Sequence, residues 1–310
     1  MNNYIISASQ GGLSNRIKCL MSSMKMAEKT GRHLLVYWPK DAACNCNFSD
    51  LFENKFNEIS KADLKKIIEK EKIQICKEKK KRLNQSKRFL IIDDSQLVWF
   101  SPEKTHLRYS KISEKAKKEI SKYLSILKIK KSILENANKF VKKLPKNFVG
   151  IHMRGGDFKT LKSGLGKVST PEKFIECIEK ELDENPSAMI FLSCEDEDIK
   201  KILREKFNKK IIVYPKKSKK REDEGSVVEA FIDQIILSKS KKIIGTFGST
   251  FTEMAWFFGS CKQDVVLAID KEGLKEYLNY IKKQKGVTQK IKEIIYKLIH
   301  KNNFFEVKVK

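Results

Sequence analysis

A chain of 310 residues has room for two domains or one large one with an ample core, and hydrophobic residues at 40% exclude a disordered polymer. The formal charge of +26 is mostly Lys scattered through a background rich in Ile and Asn, without interleaved Arg and aromatic residues. It therefore reads as a solvated, lysine-biased surface, with a basic nucleic-acid-binding protein as the less favoured alternative. Seven cysteines without a CxxC pair or a neighbouring His argue against zinc, no run approaches the ~20 apolar residues of a bilayer span, and a reducing cytoplasm is the expected setting.

In chain order, Tyr4 to Ala8 reads as a strand. Ser9 to Arg16, with Gly11-Gly12 at its centre, is the turn after it. Ile17, Leu20, Met21, Met24 and Ala27 recur at helical spacing, and Gly31 supplies the stop. His33 to Trp38 is the second strand. The glycine turn is neither GxGxxG nor a Walker loop, so two readings stand: a cradle of N–H groups for an anion, or a tight turn with Asn15 as helix cap. Cys44-Asn45-Cys46 lies in a polar loop of ordinary thiols that ends in the apolar anchor Phe48 to Phe52. Residues 61–89 read as an exposed helix, a strand from Ile73 to Cys76 and a solvated basic run. Phe89 to Ile92 is a strand; Asp93 and Asp94 after it point to opposite faces and are a poor metal pair. Ile112 to Phe140 is helical in pattern, and Leu144 to Asn147 marks the boundary into the second half.

That half opens on Phe148-Val149-Gly150-Ile151-His152-Met153-Arg154-Gly155-Gly156-Asp157, an apolar run that stops abruptly at His, Arg and Asp. Short runs with β-branched members suit a parallel strand covered on both faces, and ligands of open α/β sheets sit at the carboxyl ends of such strands. A guanidinium beside glycines suits a phosphate, because Arg offers paired planar donors at fixed charge; a surface Arg154–Asp157 pair is the plain alternative. Thr170-Pro171-Glu172 opens a capped helix. Strands at 188–193, 211–214, 243–246 and 265–269 then alternate with helices at 196–206, 226–239 and 249–258, which means a second doubly wound parallel sheet. Gly245 to Thr250 is a further candidate anion site, where the Ser249 and Thr250 hydroxyls meet a helix N-terminus, or simply a capped helix. Asp233, flanked by Val228, Phe231, Ile232 and Ile236, either meets a donor or faces solvent.

Taken together, Gly11 to Arg16, His152 to Asp157, Phe191 to Asp196 and Asp233 to Ser238 with Gly245 to Ser249 resemble the GDP-fucose-dependent fucosyltransferases that act on nodulation factors, core N-glycans and proteins. The resemblance implies an α/β, GT-B fold of two Rossmann-like domains facing a cleft. It divides the chain into residues 1–146 on the acceptor side, 147–270 binding the nucleotide sugar, and a helical tail at 271–310. It implies an inverting, metal-independent transfer of fucose from GDP-fucose to a glycan hydroxyl, with no cofactor and no nucleic-acid partner. Arg154 would bind the donor's β-phosphate, His152 and Asp233 the guanosine side, and Thr246, Ser249 and Thr250 the phosphate. Asp196 would lie near the nucleoside, and Asn15 and Arg16 would close the site from the first domain. Gly155 stands where the family often has a second Arg, and Glu195 where it has an Asp, which leaves another nucleotide sugar open as the donor. The glutamate used as base in some relatives has no counterpart after Asp157, so Asp157 becomes the base by position, ahead of Glu253. In the tail, Ile291, Ile294, Ile295, Leu298 and Ile299 share one face among lysines, which either packs back onto the first domain or lies at the periphery of an anionic membrane.

Overall fold

The structure, a computed structural model, describes residues 2–9, 11–71, 73–76, 87–93, 97, 99–101, 104–155, 165–218 and 222–283. It divides into two compact units, Met1–Ala137 with Lys216–Ile232 and Asn138–Pro215 with Asp233–Lys310.

The first unit is built on five parallel strands: β1 (Tyr4–Ser7), β2 (His33–Val36), β3 (Asn57–Glu58), β4 (Gln74–Cys76) and β5 (Phe89–Ile92), in the order β3-β2-β1-β5-β4. All four residues of β5 are buried, as an unbroken apolar run in a doubly covered sheet requires, and each such side chain contributes about 1.5–3 kcal/mol. Helix α1 (Leu13–Thr30) ends where Gly31, at φ 64, turns its N–H back to the Ala27 carbonyl. Its N-cap is Gly12 and not Asn15; Asn15 lies in the first turn, its side chain against Gly11. The CxC thiols are both buried, with the sulfurs 3.6 Å apart, and lead into the one-turn helix α2 (Phe48–Leu51), whose Phe48 stacks on Phe52. Helix α3 (Lys61–Lys70) has no buried residue, as its lysines demand.

The long helix expected over residues 112–140 is two, α4 (Glu114–Ile126) and α5 (Lys131–Val141). The break is held from a distance in sequence. Ile129 forms a β-bridge with Phe52, and Asn54 accepts from the Lys128 N–H at 2.6 Å while donating to the Ile126 carbonyl at 2.8 Å. Partners some seventy residues upstream thus satisfy backbone groups that a continuous helix would have paired internally.

The second unit has β6 (Val149–Met153), β7 (Ile190–Cys194), β8 (Ile211–Ile212), β9 (Lys242–Thr246) and β10 (Asp264–Ala268), all parallel, in the order β10-β9-β6-β7-β8. Helices α6 (Pro171–Glu184), α7 (Glu197–Phe207), α8 (Ser226–Leu237, of which the residues from Asp233 on belong to this unit), α9 (Thr250–Phe258) and α10 (Lys271–Lys283) alternate with them, α6 opening on the expected Thr170 cap with proline in its first turn. The first strand of this half lies in the middle of its sheet, between β7 and β9, so the strand order reverses beside β6. That point is where a crevice opens at the carboxyl edge of a doubly wound sheet. The basic run at 77–86, Asp94, and the tail face at 291–299 lie outside the described residues. None of the described helices is long and apolar enough to cross a membrane.

Candidate functional site

β6 carries all five of its residues buried and then emerges at Arg154, which is half-buried at the reversal point. Thr246, at the end of neighbouring β9, joins the two strands there. Its Oγ1 accepts from the Arg154 backbone N–H at 2.9 Å and donates to the His152 carbonyl at 3.0 Å. Thr246 is fully buried, and its one donor is engaged within the sheet. Arg154 is therefore set by its main chain and leaves the sheet beside the loop that runs through Phe247 and Gly248 into α9.

α9 begins with Ser249 as N-cap, its Oγ accepting from the Phe251 N–H at 3.3 Å. Thr250 is half-buried at the first helical position, at the positive end of the helix dipole. The Phe247 N–H upstream donates to Ser169 Oγ at 2.9 Å, which anchors the approach to the helix. The helix is capped, as one of the two local readings has it, and its N-terminus follows the strand next to the one that carries Arg154. Glu253, in the same turn, is fully buried.

His152 is buried and held on two sides. Its Nδ1 lies 2.8 Å from Thr252 Oγ1, and its ring stacks on Phe251 with centroids 4.6 Å apart. Thr252 is itself wedged against Gly245, where an added Cβ would come within 2.3 Å of its methyl, so the pair fixes the ring's position. Thr252→Val keeps the shape and removes the hydroxyl from a buried imidazole nitrogen. We expect a loss of about 1–3 kcal/mol in urea unfolding, while Thr252→Ser, which keeps the hydroxyl, should lose only the roughly 1 kcal/mol of one buried methyl; wild-type stability of Thr252→Val would show that the contact holds nothing.

Asp233 meets a donor, Ser193 Oγ at 3.0 Å, and is 1% exposed. The next residue, Gln234, donates to the Phe251 carbonyl at 2.9 Å, so two consecutive residues of α8 brace the end of β7 and the start of α9. Asp196 is the N-cap of α7, accepting from the Ile199 N–H at 3.2 Å. Its Cβ lies 2.9 Å from where a Cβ on Gly155 would be, so the larger side chain common in the family at that position has no room here without a shift of Asp196. Burial pushes the neighbouring Cys194 thiol up to about 11, which keeps it neutral. Asp157 lies outside the described residues.

In the first unit, Arg16 is 1% exposed and engaged along its whole head group. Nε donates to the Gly11 carbonyl at 2.7 Å, Nη1 to the Pro39 carbonyl and Nη2 to Asp41 at 2.7 Å, with Trp38 5.5 Å from the guanidinium. The structure thus gathers His152, Arg154, Thr246, Ser249 and Thr250 at one end of one sheet, with Asp233 and Asp196 in the elements around it. Thr252, Phe251 and Gln234 were not expected. Their signal was hidden in an apolar helix pattern, where a lone Thr or Gln facing a sheet reads as core.

By sequence, no curated protein matches the chain. Among solved structures it is similar to the fucosyltransferase NodZ from Bradyrhizobium, with a TM-score of 0.58 at 15% identity over 86% of this chain and 96% of that one. It is similar to a FUT1 variant of Arabidopsis thaliana in complex with GDP, at 0.57 and 13% over 86% and 70%, and to POFUT1 in complex with GDP, at 0.51 and 13% over 86% and 98%. These likenesses carry the α/β, GT-B fold. The GDP-fucose protein O-fucosyltransferase family matches residues 4–255, a span that takes in the first sheet, all of the second but β10, and every site residue just described. With that much of its length matched, the chain is a glycosyltransferase and belongs to the GDP-fucose protein O-fucosyltransferase family.

Proposed function

We propose that the chain is an inverting fucosyltransferase that moves fucose from GDP-fucose to a hydroxyl of a glycan without a divalent metal. The observation that carries the reading is Arg154, fixed through its own N–H to β9 and standing at the strand reversal next to the α9 N-terminus. NodZ has been solved soaked with GDP-fucose, and POFUT1 in complex with GDP. Departure of GDP leaves an oxocarbenium-like sugar and places new charge on the β-phosphate. A preset guanidinium and helix N-terminus stabilise that charge where it develops, which is the task Mg²⁺ performs in other phosphate chemistry. The His152 ring and Asp233, both immobilised by hydroxyl partners, suit the guanosine side, because groups already ordered lose little entropy on binding. The acceptor hydroxyl attacks the face opposite GDP, so a single displacement inverts the anomeric centre, and Asp157 is the base by its position in the chain.

The test is a thermal-shift screen with GDP, UDP, GDP-fucose and GDP-mannose, followed by transfer assays in EDTA. A ligand at one hundred times its dissociation constant should add about 2.7 kcal/mol of stability, for the guanosine ligands and not for UDP. Transfer should persist in EDTA. A UDP-selective shift would move the chain to another donor, as the crowded Gly155 position permits. Transfer lost in EDTA and restored by Mn²⁺ would remove the metal-free mechanism.

A further inference from the structure

The turn from β9 into α9 is set by residues outside it. β9 and β10 pair as far as Thr246 and Ala268, and a single hydroxyl then relays between the two chains. Ser169 Oγ accepts from the Phe247 N–H at 2.9 Å and donates to the Ala268 carbonyl at 2.5 Å. Ser169 is 5% exposed, and its one donor is spent on this relay. Because the peptide plane is rigid, fixing the Phe247 N–H also fixes the Thr246 carbonyl at the other end of that plane. The carbonyl accepts from the Ser249 N–H at 3.2 Å and closes the turn, with Gly248 in the left-handed region at φ 72. A hydroxyl far upstream thus decides how the chain enters α9.

Ser169 is held in turn by the start of α10. The Asp270 N–H donates to the Val168 carbonyl at 2.6 Å, and Asp270 Oδ2 accepts from the Gly273 N–H at 2.6 Å. Gly273 lies directly on the short turn Leu165–Val168: a Cβ there would come within 2.0 Å of the Lys167 carbonyl oxygen, so helix and turn meet backbone to backbone. Tyr277, one helical turn on, meets the Phe247 ring edge to face, with centroids 6.1 Å apart and planes at 78°. Phe247 is 1% exposed. One residue of the turn is therefore gripped twice, at its amide by Ser169 and at its ring by Tyr277. Ala268 and α10 follow residue 255, where the family match ends, so the outer half of this brace lies beyond the matched span.

We propose that Ser169 and Tyr277 are positioning residues for the donor's diphosphate, acting through Phe247 on the turn that carries Ser249 and Thr250; the proposal rests on the assignment of that turn to phosphate. Donors stabilise charge as it develops only when they are already in place, and a turn free to rotate at Gly248 gives up that advantage.

Two measurements separate positioning from mere support. In hydrogen exchange of the ligand-free full chain, Ser169→Ala and Tyr277→Ala should each speed the amides at 247–250 roughly tenfold and leave α6 and β6 unchanged. In calorimetric titrations, both should bind GDP about tenfold more weakly, while guanosine, which lacks the phosphates, binds them as it binds the wild type. Tyr277→Phe keeps the ring and should match the wild type in both measurements. Wild-type exchange at 247–250 in Ser169→Ala would overturn the proposal, and so would GDP and guanosine weakened alike. Should Ser169→Ala fail to fold, the Tyr277 pair decides by the same two criteria. A wild-type chain that binds inorganic pyrophosphate but not GDP would end the guanosine reading alone, and the pyrophosphate titration would then take the place of GDP here; a chain that binds neither would overturn both.

Discussion

Replacing Arg154 by alanine is expected to lower transfer from GDP-fucose by roughly two to three orders of magnitude in kcat, the loss that follows removal of one preorganised donor from a site of developing charge. The fold should survive, because the contact that sets this residue in the sheet is its backbone N–H on Thr246, which alanine keeps. Arg154→Lys should recover little: an ammonium keeps the charge but not the planar fork that meets two phosphate oxygens at once. Steady-state kinetics beside a melting curve decide the matter. Near wild-type transfer by the alanine protein would end the assignment of this site, whereas a collapsed melting curve would assign the side chain to structure.

The opposite pattern is expected at Arg16. Its guanidinium is 1% exposed and holds Gly11, Pro39 and Asp41 together. Arg16→Leu would leave two carbonyls and a carboxylate without their donor, at a cost on the order of 3–5 kcal/mol and a fall in unfolding midpoint on the order of 10 °C. Arg16→Lys should be nearly as damaging, since one ammonium cannot reach three acceptors in that geometry. From the resemblance alone, this residue closes the substrate site; its three internal contacts assign it first to the loops it ties. An Arg16→Leu protein that melts like wild type yet fails to bind donor would return it to the ligand.

The parallel strands other than β3 were legible because each holds a short apolar run bounded by turn residues; β3, the exposed pair Asn57–Glu58, has no such run and was not expected. Gly31 and Thr170-Pro171 were legible because caps act within one turn. What escaped was set at long range. Nothing near Ile129 announces that Phe52 and Asn54 will interrupt a helical pattern there. Asn15 has the chemistry of a cap, yet the turn starts the helix at Gly12. The cluster of His, Arg, Ser and Thr could be read from four separate blocks. Its bracing by Thr252 and Gln234 could not, because a polar residue facing inward differs from one facing water only once the sheet exists.

The first unit is discontinuous: Phe231 of its late segment packs on Phe52 with ring centroids 5.5 Å apart, and Asn45 donates to the Glu222 carbonyl at 2.7 Å. In the second unit, the central strand at Val149 pairs with Lys242. A ribosome building this protein therefore releases a stretch that must wait for distant partners before its core can shut. Long-range parallel pairing of this kind is slow and leaves unmatched edges open to other chains meanwhile. Expression cut short near residue 146 should yield a species prone to clump, and slower translation ahead of residue 216 should lengthen the interval in which chaperones must shield it.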